Sequence, residues 1–148
     1  MKKVFIVLLA LVLVIFMSSA YAIPDDFDNF NVYAEVCGAT VLDRSSGFTS
    51  DQYTMYNQDD CQITFKIEDG ATKIIFVEGK GDAFLAYCAA ALYVMNPSDD
   101  STINNGRVLT AYFLAHNDKE QHPSVFGDNI IAFMQQNKDG DYTFGVGF

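Results

Sequence analysis

Two Asp-Gly dipeptides, Asp69-Gly70 and Asp139-Gly140, each lie between runs of alternating apolar residues, and this pattern constrains the chain more than any other feature. A type I′ turn needs positive φ at both central residues, which Asp and Gly tolerate, and a two-residue turn joins only antiparallel strands. In the first hairpin Gln62 to Ile67 and Thr72 to Val77 are predicted to pair with Phe65 opposite Ile74, Ile63 opposite Phe76 and Ile67 opposite Thr72. In the second, Ile130 to Lys138 and Asp141 to Phe148 pair with Gln135 against Phe144, Phe133 against Val146 and Ile131 against Phe148. Each register gathers an apolar face that a lone hairpin cannot keep in water.

The cover for those faces is written between the hairpins. Asp82 is placed to cap a helix through Ala83 to Met95 that stops at Asn96-Pro97, with Phe84, Cys88, Leu92 and Met95 at helical spacing. No charge occurs from Ala83 to Asn96, so this helix is apolar nearly all round and is expected at the centre, covered on more than one side. A second helix is predicted over Val108 to His116, although Val108, Thr110, Tyr112 and Leu114 also alternate as a strand would. Asp26 to Leu42 suits a helix with Phe27, Phe30, Ala34, Cys37 and Val41 inward, and segments 43–61 and 96–107, rich in Ser, Asp, Asn and Gly, are expected as loops. The fold class that follows is α+β, an antiparallel sheet built from two Asp-Gly hairpins with helices packed on one face.

Residues 1–22 have the form of a secretory signal peptide: Met1-Lys2-Lys3, an apolar run from Val4 to Met17, and small residues at Ala20 and Ala22. The run of 14 residues is short of the roughly 20 needed for a permanent span, so cleavage near Ala22 and a secreted or periplasmic product are expected, with no permanent membrane span. Residues 23–148 then form a single acidic α+β domain. Losing Lys2 and Lys3 takes the formal charge of −10 to −12. That balance excludes nucleic acid, which needs a basic footprint, and favours a basic protein or peptide as partner. Three cysteines remain, and export permits a disulfide, for which Cys37 and Cys61 are the expected pair because Cys88 belongs to the apolar helix. The odd thiol is free or links two chains, which allows a disulfide-linked dimer beside a non-covalent one.

No catalytic constellation, cofactor motif or established metal motif stands out. Asn137-Lys138-Asp139-Gly140-Asp141 begins like a calcium loop, but its glycine is at the wrong place and Phe148 stands where the bidentate glutamate belongs. The one cluster of chemical groups is His116, Asp118, Glu120 and His122, which brings both histidines and two carboxylates into one short stretch. The function expected from these residues is an exported, non-catalytic binding or interaction domain for a protein, a peptide or a small apolar molecule. The alternative is a secreted metal- or His-dependent hydrolase built on the 116–122 loop.

Overall fold

The computed structural model describes residues 26–97, 101–118, 123–126 and 129–148; the proposed signal segment, Glu120 and His122 lie outside these residues. In chain order the elements are α1 (Asp26–Val36), β1 (Phe48–Thr49), β2 (Tyr53–Gln58), β3 (Cys61–Glu68), β4 (Ala71–Gly79), α2 (Gly81–Met95), α3 (Ser101–Asp118), β5 (Ser124–Phe126), β6 (Ile130–Gln136) and β7 (Tyr142–Gly147). Among the described residues the strands form one seven-stranded sheet in the order β1-β2-β3-β4-β7-β6-β5, with every neighbouring pair antiparallel. The fold is α+β. None of the described helices is long and apolar enough to cross a membrane.

The sheet buries one face in two registered rows. Tyr56, Ile63, Val77, Phe144 and Met134 line up across β2, β3, β4, β7 and β6, beside a row of Thr54, Phe65, Ile75, Val146 and Ala132. All ten are buried. The helices cover these rows in strand order. Phe27 and Phe30 of α1 lie against Tyr56 and Phe65, α2 crosses β4 and β7, and α3 packs on β6. α2, uncharged beyond Asp82, sits between the other two helices, with Phe84, Cys88, Leu92 and Met95 all buried. Tyr33 of α1 stacks on its Tyr93 at 4.5 Å.

Both hairpins depart from the expected register, each by one residue. Ile67 still faces Thr72 across Asp69-Gly70, but Lys66 faces Ile74, leaving Lys73 as an extra residue in β4. This bulge inverts the strand beyond it, so Ile75 and Val77 point to the core while Ile74 and Phe76 take the outer face. The freed carbonyl of Lys73 accepts the backbone N–H of Phe148 at 3.3 Å. In the second hairpin Gln136 faces Tyr142, so the connection is a five-residue loop closed by the Asn137 N–H on the Asp141 carbonyl at 2.7 Å. Met134 therefore opposes Phe144 and Phe133 opposes Gly145, which leaves Ile131 47% and Phe148 66% exposed.

Other expectations fail for local reasons. The first helix ends at Val36, not Leu42, because Gly38 at φ +85° closes a C-terminal motif: Ala39 N–H bonds the Ala34 carbonyl and Gly38 N–H that of Glu35. Asp82 lies in the first turn of α2 and is not its cap, since the helix already starts at Gly81. Segment 43–61 contains β1 and β2, and the first part of α3 replaces the loop expected before Val108. The Cys37–Cys61 disulfide is not formed, and all three cysteines are free thiols. Cys37 lines a groove with residues of α1, α2 and α3, whereas the Cys61 sulfur packs over Gly79 in the neighbouring strand.

Because Leu92 is 1% exposed at the helix–sheet junction, Leu92→Ala should lower unfolding stability by about 2–5 kcal/mol. Lys66→Ala, on the outer face in an exposed pair with Glu68, should change it by less than about 1 kcal/mol. Urea denaturation of the two variants measures both.

Candidate functional site

Where α3 leaves the sheet a cleft of about 370 Å³ opens, walled on one side by the helix and floored by α2 and the β6–β7 pair. Helical spacing puts Ile103, Gly106, Arg107, Thr110, Ala111 and Leu114 along one flank of α3. Leu92 of α2, Ala132 of β6 and Phe144 of β7 supply the floor. The space follows from size: Ala111 and Ala132 stand where larger residues would close the helix onto the strand. Gly106 adds to the opening, since a Cβ built there would meet no atom within 4 Å.

The polar groups of the lining are few. The Thr110 hydroxyl donates to the Gly106 carbonyl at 2.8 Å, a bond inside its own helix. Ser124 also lines it, and among the described residues Arg107 is the one charged residue that lines the cleft. A concave, mainly apolar site with a small number of polar groups is the usual form of a small-molecule pocket.

Of the expected cluster, His116 and Asp118 lie at the end of α3, both exposed. His116 is held by tyrosines: its Nδ1 lies 2.7 Å from the Tyr142 hydroxyl, and the Tyr112 ring stacks beside it at 6.2 Å. Burial pushes the Tyr142 phenol up, and a hydrogen bond with Tyr112 adds to the shift. Among the described residues no group of three or more His, Cys, Asp or Glu is arranged to hold a metal ion. The thiols are raised too. Burial is the main cause at each, taking Cys61 to about 11 with help from Asp59 and Asp60, and holding Cys88 far above the ordinary thiol range.

The opposite end of the sheet carries Asp59, Asp60, Glu78, Asp139 and Asp141 around a shallow polar hollow. Asp141 and Asp59 tie the hairpin ends to other parts of the chain. Lys80 Nζ lies 2.8 Å from Asp141 Oδ1. Asp59 occupies the β2–β3 turn at φ +52°, and its carboxylate accepts from Thr40 N at 3.0 Å, Thr40 Oγ1 at 3.1 Å and the Tyr87 hydroxyl at 2.9 Å. It thereby ties the turn to the loop after α1 and to α2. Neither the cleft nor this anchor was expected from the sequence, which placed Gly106 in a loop ahead of the helix.

The Thr40 amide, foremost, holds the Asp59 carboxyl below its ordinary value. A lowered carboxyl contributes stability that is complete above the ordinary carboxylate range and disappears as pH falls through the folded value. Asp59→Asn keeps a residue that tolerates positive φ but removes the charge, and should cost about 1 kcal/mol at neutral pH. The gap from the parent should close on acidification, as measured by urea midpoints across pH; a gap independent of pH would mean that the charge is not what matters.

No protein-family description, curated protein or solved structure matches this chain.

Proposed function

We propose that this chain is an exported, non-catalytic binding domain that takes a small apolar molecule into the cleft between α3 and the β6–β7 pair. The observation that carries the reading is the combination of about 370 Å³ of apolar-walled space with a helical glycine at its rim. Glycine inside an exposed helix costs about 1 kcal/mol relative to alanine, and nothing packs against Gly106 to demand it. An open rim gives that cost a purpose. The hydrolase alternative draws less support, because His116 is engaged by Tyr142 and Tyr112 in an arrangement that braces the end of α3 against β7.

Gly106→Leu is the informative variant, since its side chain enters open space at the rim without clashing with the core. A neutral fluorescent apolar probe such as N-phenyl-1-naphthylamine should bind the native protein saturably, and Gly106→Leu should weaken that binding about tenfold or more while the thermal midpoint holds or rises. Gly106→Ala should raise stability by about 0.5–1 kcal/mol. Probe binding indifferent to Gly106→Leu would place the ligand elsewhere.

Export rests on residues 1–22 and is tested separately. Expressed in a bacterium with its own leader, the protein should be recovered outside the cytoplasm with Ile23 as its first residue, as read by intact mass. An unprocessed cytoplasmic product would remove this part of the proposal.

A further inference from the structure

We infer that the ligand of this cleft is a single-chain amphiphile with an anionic head, of the acyl-carboxylate class, with its tail in the apolar interior and its head on Arg107. The inference rests on the apolar-cleft reading above and adds the chemistry of the ligand to it. Three features of the site lead to it.

The first is the charge of the lining. Leu92, Ala111, Leu114, Ala132 and Phe144 offer a tail nothing but hydrocarbon and aromatic surface, while among the described lining residues Arg107 alone carries a charge. A chain of formal charge −10 repels anions at long range, so an anionic ligand would be held by a local cation. A planar guanidinium suits that role because it can grip a carboxylate through two parallel N–H bonds, which a point-charge ammonium cannot. Arg107 already has an interaction within the protein, and its several N–H donors let it serve a ligand oxygen as well.

The second is placement. Arg107 is half-buried, lines the cleft and directly follows Gly106, the position where the rim has no side chain. Opening and cation therefore share one turn of α3. A tail that passes Gly106 leaves its head beside Arg107.

The third is size. About 370 Å³ lies near the lower end of the range for small-molecule pockets, which suits one acyl chain and leaves no room for a second. Two-chain phospholipids are accordingly disfavoured as the occupant.

Displacement of the neutral probe from the intact protein distinguishes these possibilities. Dodecanoate should displace it at least about tenfold more strongly than dodecanol, and dodecyltrimethylammonium should compete no better than the alcohol. Arg107→Met keeps an unbranched stem and a good helix former but removes the charge, so the ratio of dodecanoate to dodecanol displacement should fall to about one. Arg107→Lys should restore part of the preference. Direct calorimetric titration of dodecanoate supplies the same comparison without the probe. If dodecanoate and dodecanol bind alike, or if Arg107→Met retains the preference, the anionic-head inference is overturned while the apolar cleft stands. If neither probe nor alcohol binds, the cleft reading falls and this inference falls with it.

Discussion

The arrangement of this protein depends on one helix that water cannot be allowed to reach. From Ala83 to Asn96 no side chain carries a charge, and Phe84, Tyr87, Cys88, Ala90, Ala91 and Leu92 are each 1% exposed or less. A helix apolar on all sides has to be enclosed, so the sheet must lie beneath it and other helices along its flanks. The alanines matter as much as the large residues. They let α1 and α3 approach α2 closely, and they bring Tyr33 into its stack on Tyr93 and Phe30 into its stack on Tyr87. Tyr87 then carries polarity to the edge of the core, donating its hydroxyl hydrogen toward the Asp59 carboxylate and the Thr40 carbonyl as its two neighbours.

What the sequence made legible was the set of features fixed by local chemistry. The charge-free helix, its stop at Asn96-Pro97 and the turn at Asp69-Gly70 all follow from propensity and turn geometry. Register did not, because it was settled by residues that carry no local mark. Nothing about Lys73 announces a bulge, yet its insertion moves Ile74 and Phe76 from one face of the sheet to the other. Asn137 likewise turned an expected two-residue turn into a five-residue loop by pairing with Asp141, and every side chain of β6 changed face. Tyr53–Gln58 was hidden by its polar surroundings, although Thr54 and Tyr56 alternate inward once the strand is recognised. The start of α3, with Asn104, Asn105 and Gly106, has poor helix propensity and is held by tertiary packing. The cleft was illegible for a related reason: its walls come from α2, α3, β6 and β7, so it exists only once the register is known.

The inverted registers also explain the outer face of the sheet. Across β4, β7 and β6 the outward positions run Ile74, Gly147, Ile131 and, in the next row, Phe76, Gly145, Phe133. The glycines are required there. A Cβ at Gly145 would lie 2.5 Å from the Phe133 ring and 3.1 Å from that of Phe76, and one at Gly147 would lie 2.6 Å from the Lys73 carbonyl oxygen. Phe76 and Phe133 thus lean over a strand that has no side chain of its own at that point, with ring centroids 6.3 Å apart in an edge-on arrangement. The two rings shelter backbone that would otherwise face water. The same bulge that exposes Phe76 therefore places it where a glycine in β7 makes room for it.

Charge is divided between the two ends of the sheet in a way that bears on binding. At the hairpin end three of the acids are occupied by structure: Asp59 with Thr40 and Tyr87, Asp141 with Lys80, and Glu78 near Gln62 and Thr143. Those bonds join turns that are far apart in sequence, so the acids there act as connectors more than as a surface offered to a ligand. Among the described residues lining the cleft the balance is reversed, with hydrocarbon walls and a single cation. The net negative charge acts over the whole surface, whereas on the proposed reading the cleft would select by desolvation and one directed hydrogen-bonding group. The long-range field and the proposed short-range selection would therefore favour opposite charges. On the proposed reading, a ligand that reaches the cleft must gain enough from burying its apolar part, together with its bond to Arg107, to overcome the field outside.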